Sequence, residues 1–517
     1  MGENTYMNKK EKAYFGDIHN HCNISYGKGS FSDAIRNAKQ KLDFCSITGH
    51  AHWCDMPNPN ERIGYIIDFH KVGFAKLKEE WQQILQTIKE NNIPNEFLLF
   101  PGFEIHSNAD GDLTIVYCED DGDIIYTATV KELQDIIKQL NAKNKKVFTM
   151  PHHIGYKIGA RGINWENFDE NVSPIVEIYS MHGCSENTQS PFPYRHSMGP
   201  ADWESTMQYG LEKGHIFGFA ASTDHHSAYP ASYGQGFTGV WAEELTRKAI
   251  YEAIKNRRTY ALSGDKVLLD FTLDNSPMGS IRKAGLYKGL KAHIKGGGAI
   301  DCVDILKNNK IVKRISSCDI EEKSYENNQK FKSLVHLEVG WGHRGKRQDW
   351  DVEFGILDGE IIDVEPRFRG ADILSPVQKD VSANGASAFY SQCERVANDK
   401  VKFSTITYGN PTNTTAGTQG VCIEVEATKK SKIWTRINGI YKETPISELL
   451  CGGRVGYLID EIDSPSWLIH KMPLQEQFIW DIDLPEFEGE LKKGDTLYLR
   501  VRQENEQWAW ASPVFAR

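Results

Sequence analysis

Six short apolar runs in the first half of the chain each stop on a histidine or an acid, and no other feature constrains the fold as tightly. The stops hold Asp17, His19 and His21; His50; Glu104 and His106; His152 and His153; His182; and Asp224, His225 and His226. Of the 17 histidines, 13 lie at or before His226. Helix-like stretches separate the runs. Strands are expected near 15–18, 44–48, 97–100, 113–117, 147–150, 175–179 and 216–221, and helices near 31–41, 68–91, 130–140 and 246–257. In the longest helix Phe69, Val72, Leu77, Trp81, Ile84 and Ile88 recur at helical spacing. Strands alternating with helices predict parallel βαβ units, and polar residues collected at strand ends predict closure into a barrel.

After residue 264 the pattern changes to strands and turns, with Gly, Asn and Asp at the breaks. The expected architecture is therefore α/β: a TIM-like barrel over 1–264, then an antiparallel β-sandwich-like domain over 265–517 that admits a further split. Near the C-terminus Trp508 and Trp510 share one face of a strand, as a sandwich core demands. They could instead cover the barrel or form an oligomer contact, with stacking on a sugar the lesser alternative.

Composition narrows the function. A net charge of −10 over 517 residues argues against a nucleic-acid binder. No apolar run is long enough to predict a membrane span, and the first residues contain no leader-like apolar stretch. The 10 cysteines are scattered without CxxC spacing, which favours free thiols and a cytoplasmic setting. There is no G-x-S-x-G elbow and no Walker lysine. The expected partner is a small molecule, with an anionic one compatible; a homo-oligomer is also compatible.

Neutral imidazoles and ionised carboxylates together are the natural ligands of Zn, Mn or Fe. In an extended segment, residues two apart face one side, so His19 and His21 can share an ion, with Asp17 as ligand or orienter. Glu104 can bridge two cations through its two oxygens. Asp224 and His226 share parity, and His225 points elsewhere. His52 has the parity to join His50.

In order and type these groups resemble the PHP (polymerase and histidinol phosphatase) superfamily of metallohydrolases. The resemblance extends to a branch with a C-terminal β domain, through Tyr260-Ala261-Leu262-Ser263-Gly264 and Pro277-Met278-Gly279. It implies a distorted (β/α)7 barrel holding about two to three divalent ions. Matched by motif, His19, His21, Glu104 and Asp224 hold the first, and Glu104 bridges to a second on His152 and His182. His50 and His226 hold a third. His153 competes with His152. Two departures fall on the third site: Ser25 and Tyr26 stand where the family often has an acid or histidine, and Gly49 replaces an acid. His52 or Asp17 could rebuild it.

The expected enzyme is a phosphoesterase-like hydrolase of a small phosphate ester, using a hydroxide held between metals, with Glu104, Asp224 and His225 as catalytic residues. His106 is an alternative to His225 for protonating the leaving group. Lys157, Arg161 and Arg195 are candidate substrate contacts. The alternatives are a carbamate, amide or ester hydrolase on the same metals, or a degenerate module that binds a carbohydrate or a protein.

Overall fold

The computed structural model describes residues 10–194, 198–321, 323–343, 345–370, 391–409 and 417–517. Twelve strands occupy the first half: β1 (Lys12–Asp17), β2 (Phe44–Cys45), β3 (Gly49–Trp53), β4 (Leu98–Leu99), β5 (Gly102–His106), β6 (Leu113–Tyr117), β7 (Val147–Pro151), β8 (Ile175–Ser180), β9 (Gly183–Cys184), β10 (Gly218–Ala221), β11 (Phe237–Ala242) and β12 (Thr259–Leu262). Five helices lie among them: α1 (Phe31–Lys39), α2 (Gly64–Asn91), α3 (Val130–Ala142), α4 (Met207–Glu212) and α5 (Arg247–Lys255).

The helices begin where side-chain chemistry starts them. Ser30 and Asp33 form a capping box on α1. Thr129 and Thr246 accept the orphan amides at the starts of α3 and α5. On α2 the buried face is Ile67, His70, Gly73, Leu77, Trp81, Ile84 and Ile88, so Val72, at 71% exposure, lies on the opposite side from its expected place.

The expected (β/α)7 barrel is not evident: strand accounts for 41% of the described residues and helix for 17%. The physical reason lies in the connections. A βα barrel needs a helix between successive parallel strands, but β5, β6 and β7 pair antiparallel, as do β8 with β9 and β11 with β12. Between β7 and β8 the only helical turn is a 3-10 one, Trp165–Asn167. Parallel pairing survives in β1–β2, β2–β4, β3–β5 and β8–β10. Two expected strands are also split. Of 44–48 only β2 is strand and β3 follows from Gly49, and of 97–100 only β4 is strand and β5 follows from Gly102, each break moving the chain from one sheet to another.

Hydrogen bonding continues across residue 264. β12 pairs with Trp508–Ala511, placing both halves in one eleven-stranded sheet that also contains Thr496–Gln503 and Ile300–Lys307. One apolar core contains Phe15, Ile47 and Leu99 together with Leu269, Val303 and Leu499. Trp510 is buried in core packing and donates its indole N–H to Glu186 at 3.1 Å. Farther along, two five-stranded antiparallel sheets share a second core around Val335, Trp350, Phe354 and Val425.

Candidate metal centre

The polar stops converge. His19 and His21 follow β1; His50 lies on β3, and Glu104 and His106 on β5. His152 and His153 follow β7; His182 occupies the tight β8–β9 turn; Asp224 and His226 follow β10. None of these residues, nor Glu177 within β8, exceeds 8% exposure.

Glu104 and Asp224 sit at the middle. Glu104 Oε2 lies 3.2 Å from His21 Nε2, 3.3 Å from His50 Nε2 and 3.6 Å from His19 Nε2. Its other oxygen lies 3.0 Å from His106 Nδ1 and 3.5 Å from His152 Nε2. Asp224 Oδ1 lies 3.0 Å from His21 Nε2 and 3.2 Å from His19 Nε2, and Oδ2 lies 2.6 Å from His182 Nε2. Several three-residue groups have ligand atoms within 4.8 Å of one another and could hold a cation, among them His19–His21–Glu104, His21–His50–His226 and His19–His152–Glu177. Backbone strain gathers here: Asp224, His153 and Arg161 have φ of 53°, 33° and 68°, a left-handed region that costs a non-glycine residue free energy.

Outer partners fix the imidazoles. Glu177 Oε2 accepts from His19 Nδ1 at 2.7 Å, which leaves the Nε2 lone pair facing Asp224 and Glu104. Ser25 Oγ lies 3.1 Å from His50 Nδ1 and also accepts the His50 amide at 2.9 Å. Tyr156 Oη holds His182 Nδ1 at 2.8 Å. Such partners set the tautomer and raise ligand basicity.

The donor set fits a divalent cation. His19 Nε2, His21 Nδ1, Glu104 Oε2, both ring nitrogens of His152 and His153 Nδ1 are buried without a hydrogen-bond partner. Leaving such an atom unsatisfied costs about 1–3 kcal/mol, and a cation beside Glu104 removes that cost for those that face it, such as His19 Nε2 and Glu104 Oε2. Burial, followed by neighbouring imidazoles, pushes His50, His152 and His226 well below the usual histidine range. Burial acts against ionising Glu104 and Asp224, yet the surrounding histidines hold both well below the usual carboxylate range. Burial alone would depress His19; Asp224 and Glu177 outweigh it and raise its pKa. Neutral imidazoles around ionised carboxylates are the forms that ligate metal.

Some expected residues stand elsewhere. Asp17 is no ligand: its oxygens accept from the Thr223 hydroxyl and from the amides of His19, Thr223 and Ala231. It braces the loop that carries Asp224. The bulge between His50 and His52 turns His52 to the Thr127 carbonyl at 2.7 Å. His225 turns to Ser227, whose amide donates to its Nδ1 at 3.2 Å. Lys157 is exposed, and Arg195 lies outside the described residues. Arg161 reaches inward, its Nε 2.6 Å from Asp112 Oδ2 and its terminal nitrogen 3.7 Å from Glu104 Oε1.

Asp112 is the residue missed by the sequence reading. It accepts from His106 Nδ1 at 2.9 Å and binds Arg161, at 0% exposure. Its signal was faint: an acid immediately before the apolar β6. Glu177 was more legible, because an acid inside the buried run Ile175–Ser180 must be paired.

Comparisons with known proteins bear on this region. The family described as a protein of unknown function (DUF3604) matches residues 219–274, the stretch that contains Asp224, His225 and His226. An uncharacterised protein of Chlamydia pneumoniae is 26% identical over 251 residues, covering 45% of this chain and 40% of the relative. An uncharacterised protein of Chlamydia trachomatis serovar D is 29% identical over 168 residues, covering 29% of this chain and 27% of the relative. The match therefore spans less than half the length of these relatives. One solved neighbour, from Bacteroides vulgatus, is described as a two-domain protein containing a predicted PHP-like metal-dependent phosphoesterase. It is 16% identical, covers 59% of this chain and 83% of its own, and has a TM-score of 0.31, too distant to support an argument. Among the described residues, no helix is long and apolar enough to cross a membrane.

Proposed function

We propose that the chain is a metal-dependent hydrolase acting on a small phosphate ester. The observation that carries this reading is the buried set of ligand atoms without hydrogen-bond partners around Glu104. His19, His21, Glu104 and Asp224 would hold one cation, and His152 and His182 a second that shares Glu104. His50 and His226 are the remaining donors, grouped with His21.

Divalent cations in such a centre activate water at neutral pH and stabilise charge that develops on the leaving oxygen. The protein's own residues prepare this arrangement. Glu177, Ser25 and Tyr156 orient His19, His50 and His182. Asp112 fixes both His106 and Arg161. The guanidinium of Arg161 then lies at the rim of the cluster, where it suits an anionic ester oxygen. His106, bonded to Tyr26 Oη at 3.0 Å, lies nearer the carboxylates than His225 and is the better-placed proton donor of the two.

The test is turnover of p-nitrophenyl phosphate and p-nitrophenyl acetate by chelated protein reconstituted with Zn, Mn or Fe. Phosphate turnover that depends on metal and is lost in Asp224→Asn supports the reading. Turnover of acetate alone would move the site to acyl chemistry, and turnover of neither by fully loaded protein would contradict it.

A further inference from the structure

A second cavity, of about 230 Å³, opens at the other end of the same strands. It is lined by Val147 at the start of β7, Pro174 just before β8 and Ile216 just before β10. His152, His182 and Asp224 follow the far ends of these strands. Four to six residues of extended chain, roughly 13–20 Å, separate the two places. Phe148, Ile216 and Ile254 give the cavity an apolar side, and Glu170, Asn171, Lys255 and Arg257 give it a polar one.

The charges on that polar side do not cancel. Glu170 is already engaged: it binds Arg517 at 3.0 and 3.2 Å and accepts the Ile216 amide at 3.2 Å. The Arg257 guanidinium meets only neutral carbonyls, those of Gly279 at 2.9 Å and Lys255 at 3.2 Å. Among the described residues, no carboxylate pairs with it. Burial pushes its pKa down, Glu170 pulls against that, and Arg517 adds to the depression.

Residue 257 ends α5 in the left-handed conformation, φ 59°, with the Arg257 amide bonded to Ile254 O and the Arg258 amide to Ala253 O. Glycine is the residue that favours this helix-ending position. Two neighbouring glycines leave room for the chain at residue 257: a Cβ on Gly218 would lie 2.9 Å from Arg257 Cβ, and one on Gly279 would lie 2.1 Å from the Arg257 carbonyl oxygen.

From this we infer a second ligand site, in which Arg257 and Lys255 bind the carboxylate of a small organic acid and Phe148, Ile216 and Ile254 hold its apolar body. The apolar side favours an organic acid over a bare inorganic anion, which would leave that surface uncovered. The volume suits a single ring or a short branched chain rather than a drug-sized ligand.

The experiment is calorimetric titration of the metal-loaded full chain with benzoate, with acetate and inorganic phosphate as controls, beside Arg257→Gly. Glycine keeps the left-handed helix end while removing the side chain and its guanidinium, so the variant should fold, as read by circular dichroism, with the metal content of the wild type. The expected result is saturable benzoate binding by the wild type, about tenfold or more weaker in Arg257→Gly, with acetate and phosphate weaker than benzoate. Benzoate binding that is unchanged in Arg257→Gly would place the acid at the metal centre and overturn the inference. No benzoate binding by the wild type, or phosphate binding tighter than benzoate, would overturn it too.

Discussion

At residue scale, the centre depends on which atoms have been left bare. His19 is the clearest case: its Nδ1 is committed to Glu177 at 2.7 Å, and its Nε2 lies 3.2 Å from Asp224 Oδ1. A lone pair facing a carboxylate needs a cation or a proton between them. Glu177→Gln keeps the shape but removes the charge that polarises His19, and removing such a partner weakens metal binding about 10–100-fold. Competition with a chelator of known affinity measures this; unchanged affinity would show Glu177 to be mere packing. The ligand types were legible in the sequence because histidines at strand ends have few other reasons to recur. Their supports were not. Ser25, Tyr156 and Asp112 are ordinary polar residues until the fold brings them to His50, His182 and His106.

At element scale, α2 reaches the centre through a glycine. A Cβ on Gly73 would lie 2.6 Å from the Tyr26 ring and 3.3 Å from its amide nitrogen, and Tyr26 stacks on His50 with centroids 3.6 Å apart. On an exposed helix face, Gly→Ala stabilises by about 1 kcal/mol. Gly73→Ala is predicted to do the opposite, lowering the thermal midpoint and the affinity for the His50 metal, as read by calorimetry and metal titration. A raised midpoint with full metal content would contradict the stacking argument. Most strands and helices were legible from apolar periodicity, since burial dictates it locally. The barrel expectation failed because periodicity does not state direction: β6 reads like any other buried strand, yet it pairs antiparallel with both β5 and β7. The end of β2 at Cys45 was also hidden: the Ser46 amide closes its ladder on Asp17 O, and the Thr48 amide turns to Asn20 O in the loop after β1.

At the scale of the whole molecule, the later half of the chain supports the centre it does not contain. The Phe368 carbonyl accepts the Tyr233 amide at 2.9 Å, and the Gly370 amide donates to Ser232 Oγ at 3.1 Å, gripping the loop that follows His226. Beneath that grip Lys41 donates to Gly264 O at 2.7 Å and lies 3.3 Å from Glu365. Burial lowers its pKa to about 8, against the pull of Glu365 and with Arg367 adding to the depression. The native state therefore loses this proton near pH 8, whereas an unfolded lysine keeps it to about 10.4. Across that window the unfolded state binds more protons, so this lysine makes stability rise with pH. Lys41→Met is predicted to flatten the rise in denaturant-unfolding free energy from pH 8 to pH 10 relative to wild type; parallel curves would show Lys41 to be fully charged throughout. Such a contact joins positions 41, 264 and 365, and no local pattern in the sequence announces it.

The central claim is that the buried donors around Glu104 hold divalent cations, and elemental analysis of the purified full chain beside Glu104→Gln tests it most directly. Stoichiometric Zn, Mn or Fe is expected in the wild type and is expected to be lost, with the fold retained by circular dichroism, in Glu104→Gln. Folded wild-type protein that is metal-free and takes up none of the three on reconstitution would contradict it.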